Sequence, residues 1–250
     1  MAADWRTVWI VGGSSGIGYQ LAKDLAARGS IVAVSARSAE KLAAMANADH
    51  RLQAYALDTT DVSAVTDAVA AIRDAHGPID LVVCAAAVWH PMVAGVFDAA
   101  AANEALLVNV GGVNNVLAAV LPDMIGRNRG HVAVVASVAG YRGLPRAAAY
   151  GPTKAALINL AETLRLDLRR HGIDVSVINP GFVDTPMTAR NDFPMPFMVG
   201  VEEASSAILK GLERRRFEIA FPWRFVAMLK IARLLPYRLY FWSVRNFMKA

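Results

Sequence analysis

From Thr7 onward, short β-branched runs alternate with longer amphipathic stretches. Val8–Val11 leads into helix-like sequence over Gly18–Arg28, and Ile31–Ser35 leads into a helical pattern that starts at Ala39. Ala54–Leu57, Leu81–Cys84, His131–Val135 and Val175–Ile178 repeat the strand signal, each followed by helix-like sequence. Such regular alternation predicts an α/β fold, a doubly wound parallel sheet with helices on both faces. No repeat with a period of about 20–50 residues and no low-complexity linker interrupts the pattern, so a single domain is expected. Its body is residues 1–218, and residues 219–250 form a helical C-terminal extension of the same domain, set apart by composition. Pro186–Gly200, with three prolines and clustered methionine and phenylalanine, reads as a loop or lid.

Composition sharpens this picture. The chain has 250 residues, 55% of them apolar, enough for one core that covers both faces of the sheet. The sole cysteine, Cys84, rules out an internal disulfide or a cysteine zinc cage, and its place in the apolar run Leu81–Cys84 suggests a small buried thiol. His50, His76, His90, His131 and His171 show no metal-ligand spacing, so no metal is expected. His90, after the fourth strand, either touches substrate or satisfies a loop. The apolar run near the start, Val8–Val11, is too short for a secretory leader, and the cytoplasm is the expected compartment. The formal charge of +5 is uneven. Arg224, Lys230, Arg233, Arg238, Arg245 and Lys249 follow Glu218 with no acidic residue among them, which leaves 20 basic against 21 acidic residues in 1–218.

The first strand runs into Gly12-Gly13-Ser14-Ser15-Gly16-Ile17-Gly18 and then a helix. A tight turn that approaches a pyrophosphate closely needs glycine, and a helix N-terminus supplies N–H groups and a favourable dipole. With a strand before it and a helix after, this loop is a candidate dinucleotide cradle. About twenty residues on, where an acidic side chain would bind the ribose diol of NAD, the chain has Ser35-Ala36-Arg37. A guanidinium there suits a 2′-phosphate, with Ser14, Ser15 and Ser35 as further donors, unless Arg37 simply faces water. Asp58, ending the third strand, either accepts from an adenine amino group or caps the helix that begins near Val62. Tyr150 and Lys154 stand four apart on a predicted helix and so share a face, thirteen residues after Ser137. An ammonium beside a phenol makes its proton mobile near neutral pH, which is general acid–base chemistry.

Together, the glycine loop, Ser137, Tyr150-Gly-Pro-Thr-Lys154, Asn109 in Val108-Asn-Val-Gly111 and Asn179-Pro180-Gly181 resemble the short-chain dehydrogenase/reductase superfamily. The resemblance covers Thr7 to Thr185, about three-quarters of the chain. It implies a Rossmann-like fold, NADP(H) as cofactor, and hydride exchange between the nicotinamide and a carbonyl or secondary alcohol. It makes Tyr150 the acid/base and Lys154 the residue that lowers its pKa and holds the nicotinamide ribose. Ser137 becomes the partner of the substrate oxygen, and Asn109 the holder of a water that links the lysine to solvent. The cofactor would lie on Gly12, Ser14, Ser15, Gly16, Ile17, Gly18, Arg37, Asp58, Tyr150, Lys154, Pro180, Gly181, Val183 and Thr185. The chain departs from the family at Val11, where the family has threonine, and at Cys84-Ala85-Ala86-Ala87, where it has Asn-Asn-Ala-Gly. Small alanines still leave space for a cofactor.

Besides Ser137, the expected substrate contacts are Trp89, Tyr141, Leu144 and Phe182. Almost all residues around the expected pocket are apolar, which favours a lipophilic carbonyl or alcohol, unless they close a lid or an interface within a homodimer or homotetramer. In the tail, the longest charge-free run after Arg224 is the six residues Leu239–Val244, far short of the ~20 needed to span a bilayer. Beyond Pro236, which should break or kink the segment, Arg238, Trp242, Arg245 and Lys249 recur at helical spacing. Leu239, Tyr240, Phe241, Val244, Phe247 and Met248 fall on other faces. Residues 224–249 therefore either lie on an anionic lipid surface at the inner face of a membrane or pack on their own domain or a partner subunit. Nucleic acid is not expected, because the basic face has no stacking platform beyond Trp242. The leading function is an NADP(H)-dependent oxidoreductase. The alternative is a non-catalytic NADP(H)-sensing or membrane-associated interaction protein with the same fold, against which the intact Ser137, Tyr150 and Lys154 weigh.

Overall fold

Val8, Trp9, Ile10 and Val11 are buried whichever way their side chains point. A strand apolar on both faces belongs inside a parallel sheet with helices on either side. That is the position of β1 (Thr7–Val11), which pairs in parallel with β2 (Ile31–Ser35) on one flank and β4 (Leu81–Cys84) on the other. The sheet has seven strands in the order β3-β2-β1-β4-β5-β6-β7, with β3 (Leu52–Ala54), β5 (Gly130–Val135), β6 (Ile173–Pro180) and β7 (Glu218–Phe221) all parallel to their neighbours. Strand order reverses between β1 and β4, and a crevice opens at the carboxyl ends of strands at such a switch point. The computed structural model describes residues 5–247. Met248 and Lys249, which the tail's helical pattern includes, lie outside the described residues.

Alternation along β1 divides the core. Val8 and Ile10 pack with α1 (Gly16–Ala27), α2 (Ala39–Ala48) and α7 (Val201–Glu213) on one face. Trp9 and Val11 pack with α3 (Val62–His76), α5 (Gly112–Arg127), α6 (Gly151–Leu168) and α8 (Trp223–Leu234) on the other. The doubly wound, Rossmann-like arrangement expected from the alternation is the one observed. Two short helical pieces precede α5: α4 (Ala99–Leu106) and a π turn over Leu107–Gly111. Ala99–Arg127 is the one stretch among the described residues long and apolar enough to cross a membrane, and its α5 part packs in the main core through Val113, Val116, Leu117, Val120 and Met124.

Two local expectations need correction. The third strand is Leu52–Ala54, not Ala54–Leu57, although Tyr55 and Leu57 still donate backbone hydrogen bonds to Val34 and Ala36 as the chain leaves the sheet. Asp58 consequently sits in the loop beyond the strand. It does not cap the next helix, because Asp61 accepts from the Ala64 N–H at 3.0 Å at the start of α3, while Asp58 accepts from the Thr60 N–H at 2.9 Å.

The change in composition after Glu218 falls inside β7, the edge strand of the sheet. Beyond it the tail forms α8 and, after Leu235-Pro236, α9 (Tyr237–Phe247). Phe225, Val226 and Leu229 of α8 are buried in the shared core. A single side chain holds the end of this helix. Arg142 donates to the carbonyls of Ala232 (2.8 Å), Arg233 (3.1 Å) and Leu235 (2.7 Å), satisfying acceptors that a helix terminus otherwise leaves orphaned. The same guanidinium lies 3.9 Å from the ring centre of Tyr240 and 4.8 Å from that of Tyr237. Tyr240 is buried and donates to the Gly143 carbonyl at 2.6 Å.

Cys84 lies at the end of β4, and burial pushes its thiol up to about 12. A thiol-specific chromogenic reagent should therefore leave the native protein unmodified and titrate one thiol per chain in denaturant. Stoichiometric labelling in native buffer would show that the centre of the sheet opens.

Candidate active site

The glycine loop is positioned by the ends of three strands. Gly12 and Gly13 both donate to the Ser35 carbonyl at the end of β2, at 2.7 and 3.2 Å, and Ala85 donates to the Val11 carbonyl at 2.7 Å. Gly12 has φ +92°, and a Cβ there would lie 2.3 Å from the Ala86 nitrogen. No other residue fits that contact. Backbone touches backbone where the family has Asn-Asn-Ala-Gly, so Cys84-Ala85-Ala86-Ala87 preserves the close approach without those side chains.

Beside this loop is a cleft of about 460 Å³. Every residue assigned above to the cofactor lies on its wall, from Gly12, Ser14, Ser15, Gly16, Ile17 and Gly18 through Arg37 and Asp58 to Tyr150, Lys154, Pro180, Gly181, Val183 and Thr185. The start of α1 and the glycine turn present a wall with no Cβ at Gly12, Gly16 or Gly18, which fits a pyrophosphate. Arg37 is exposed at the mouth. Hydrogen bonding from Thr60 holds the Asp58 carboxyl below its ordinary range, with a smaller contribution from the Arg37 charge. Ser35 is not a phosphate donor: it is fully buried, and its hydroxyl accepts from the Trp9 indole at 2.9 Å. Ser35 lies where β2 meets the cleft, but its side chain turns to the core.

At the far end of the cleft Ser137, Tyr150 and Lys154 come together. Ser137 precedes a short 3-10 turn, Val138–Gly140, where its hydroxyl accepts from the Ala139 N–H at 3.1 Å and donates to the Pro180 carbonyl at 3.4 Å. A Cβ at Gly140 would lie 2.6 Å from the Lys154 backbone carbon, so this glycine lets the serine turn sit directly on α6. Burial raises the Tyr150 phenol above its ordinary pKa, and a hydrogen bond with Ser137 pulls in the opposite direction. Lys154, at 2% exposure, donates to the Val135 carbonyl at 2.8 Å with its ammonium 5.2 Å from the Tyr150 ring centre. Burial lowers Lys154 itself to about 7. For the phenol, burial is the raising influence and the hydrogen bond with Ser137 the lowering one.

Asn109 lies in the π turn, fully buried. Its carbonyl accepts from the Val88 N–H at 2.7 Å, and its amide donates to the Val88 carbonyl and to the Thr153 hydroxyl, each at 3.1 Å. Thr153 in turn donates to the Tyr150 carbonyl at 2.7 Å. The Asn109 side chain is thus a brace between the loop after β4 and the start of α6. Thr153 lies inside the Tyr150-Gly-Pro-Thr-Lys154 motif and Gly140 three residues after Ser137, and neither carries a signal in the sequence that marks its contact.

The profile of the short chain dehydrogenase family matches residues 6–193. The chain belongs to that family. An uncharacterized oxidoreductase of Myxococcus xanthus is 38% identical over 246 residues, 93% of this chain and 93% of its own length. Gluconate 5-dehydrogenase of Gluconobacter oxydans is 34% identical over 185 residues, 72% of each chain. Among solved structures, a short-chain dehydrogenase from Sphingobium yanoikuyae in complex with NADPH superposes with a TM-score of 0.80 at 27% identity, covering 90% of this chain and 92% of its own. As a short-chain dehydrogenase, the protein is an oxidoreductase with a nicotinamide dinucleotide cofactor.

The substrate side of this dehydrogenase differs in part from expectation. Trp89 stands edge-on to Tyr150, ring centres 5.0 Å apart, and its indole donates to Asn191 in the loop of Pro186–Gly200 at 2.9 Å. Phe182 meets Phe193 at 6.1 Å and stacks on Phe225 of α8 at 5.5 Å. Leu144 packs against the main core. Tyr141 faces away from the cleft. It leaves the serine turn towards β7, where its hydroxyl donates to Glu218 at 2.5 Å, a carboxylate also paired with Lys230 and Asn179. His90 lies 2.9 Å from Glu104.

Lys154 generates a pH prediction. Its pKa is about 7 in the fold against 10.5 ordinarily, so between those values the unfolded chain holds a proton that the folded chain has released. Stability contributed by this group therefore rises with pH across that window and falls as pH drops through it. The urea midpoint should climb between pH 7 and pH 9.5, and the climb should shrink in Lys154→Met. An identical slope in the variant would show that Lys154 stays charged in the fold.

Proposed function

We propose that this short-chain dehydrogenase is NADP(H)-dependent and interconverts a carbonyl and a secondary alcohol on a lipophilic substrate. The observation that carries the reading is the buried Tyr150 phenol, hydrogen-bonded to Ser137 at the end of a dinucleotide cleft, beside Lys154. The bound nicotinamide supplies or accepts the hydride. Tyr150 keeps its proton at neutral pH, gives it to the substrate oxygen in reduction and receives it back in oxidation. Ser137 donates to that oxygen as negative charge develops. Lys154, buried and close to half-protonation, holds the ribose and resupplies the phenol. Asn109 and Thr153 keep the Tyr150 backbone in place, and Trp89 screens the phenol from water.

Arg37 at the end of β2, with Ser14 and Ser15 on the facing turn, supports a 2′-phosphate and hence NADP(H), in keeping with the NADPH-bound relative. Trp89, Phe182 and Phe193 support a lipophilic substrate. A sugar acid would need a cation turned to it, and Arg146, beside the same loop, is paired with Asp192 at 2.8 Å. Exposed Leu106, Leu107 and Leu166 support a homodimer or homotetramer. We read residues 219–250 as an extension of the catalytic domain, and the whole as a cytoplasmic protein whose basic tail meets the inner face of a membrane. A purely sensing protein would not need a proton donor at the nicotinamide end.

Tyr150→Phe should lower turnover by ~10²–10⁴ while leaving NADPH affinity, read by fluorescence, nearly unchanged. More than about a tenth of the activity surviving would remove Tyr150 from the acid/base role. Arg37→Asp should abolish or reverse the preference for NADPH over NADH; equal affinity for both in the unaltered protein would refute the 2′-phosphate assignment. Across ketones of increasing chain length, kcat/KM should rise with apolar size, and a preference for small keto acids would refute the lipophilic pocket.

A further inference from the structure

We infer that the outer faces of α8 and α9 form one docking surface for an anionic lipid bilayer, and that the lipophilic substrate reaches the active site from that bilayer. This rests on the reductase reading above and names the surface that serves it.

On α8 the inner face carries Phe225, Val226 and Leu229, all buried. A helix packed that way on a soluble domain ordinarily turns polar residues outward. Here Trp223, Ile231 and Leu234 share the outward face, with 74%, 65% and 84% of their surface exposed. On α9, Tyr237 and Phe241 stack at 5.8 Å and are 70% and 62% exposed. Interleaved with them, Arg224, Arg233, Arg238 and Arg245 are exposed and form no ion pair among the described residues. No acidic residue follows Glu218.

Charge decides the occupant. A second copy of this chain would bring two sets of unpaired arginines together, and like charges across an interface oppose assembly. Nucleic acid would satisfy the arginines but leave the aliphatic and aromatic arc in water. An anionic bilayer accepts both: bulky apolar side chains enter the headgroup boundary while arginines meet phosphates.

The surface is fixed relative to the chemistry. Arg142, five residues beyond Ser137, holds the α8 terminus and both tyrosines of α9. Phe225, on the inner face, stacks on Phe182 and lies 6.2 Å from Phe197 of the substrate loop. One side of α8 thus faces lipid and the other forms the wall beside the substrate, giving an apolar ketone a short path out of the membrane.

The test uses the full chain with phosphatidylcholine vesicles, with and without phosphatidylglycerol. Sedimentation should occur only with the anionic lipid and be largely lost in high salt. Arg233→Glu/Arg238→Glu, and separately Trp223→Ser/Ile231→Ser/Phe241→Ser, should weaken it by about tenfold or more. Both variants should reduce a water-soluble ketone at the unaltered rate, as a check of folding, and a bilayer-dissolved ketone more slowly. Full activity on the water-soluble ketone with no sedimentation would overturn the docking surface and leave the reductase reading standing. Sedimentation with no turnover of any ketone would uphold the surface and remove the reductase reading. Equal rates on the bilayer-dissolved ketone with and without docking would overturn the substrate route, and a smaller assembly mass in the triple variant would identify the occupant as a second copy.

Discussion

The central constraint is that β1 is buried on both faces. Nothing polar can be placed along Val8–Val11, so every group able to bind or react is pushed to the carboxyl edge of the sheet, where the strands end and helices begin. There the backbone of Gly12 meets the backbone of Ala86 so closely that position 12 can carry no side chain. Cofactor wall, serine turn and tyrosine helix all take their positions from that edge. Ser137 follows β5, Pro180 ends β6 with Gly181 just beyond it, and Tyr150 enters α6 where Gly140 allows the serine turn to lie against it.

What was legible in the sequence follows burial. β1, β2, β4, β5 and β6 are each buried along nearly their whole length and dominated by β-branched apolar residues, and a run of that kind has few alternatives to a covered strand. β3 was misplaced by two residues because Leu52 is its only buried position and the chain beyond it still bonds to β2 while curving away. β7 was absorbed into the tail because Glu218-Ile-Ala-Phe buries only Ile219 and Phe221 and carries a charge at its start.

The site shows the same division. Residues placed by backbone position, such as Gly12, Ser137 and Tyr150, meet at one cleft as the motif spacing suggested. Side chains whose direction is set by tertiary packing do not follow from spacing. Ser35 has the chemistry of a phosphate ligand but faces Trp9, and Tyr141 lies next to the serine turn yet points to Glu218, a half-buried carboxylate that also pairs with a lysine and an asparagine. The Asn109 side chain binds backbone at Val88, a partner with no signature in the sequence.

Arg142 takes carbonyls from the last turn of α8 and from the hinge at Leu235, and covers two rings of α9. The angle between the two terminal helices is therefore set from outside both of them, by a residue about ninety positions upstream. Such a joint behaves as a rigid bracket, not as a flexible arm. Outward residues of α8 such as Ile231 and Leu234 can be exchanged for others without altering its pitch, because Arg142 holds backbone carbonyls at the helix end and not these side chains, so the same catalytic body can be fitted to surfaces of different character.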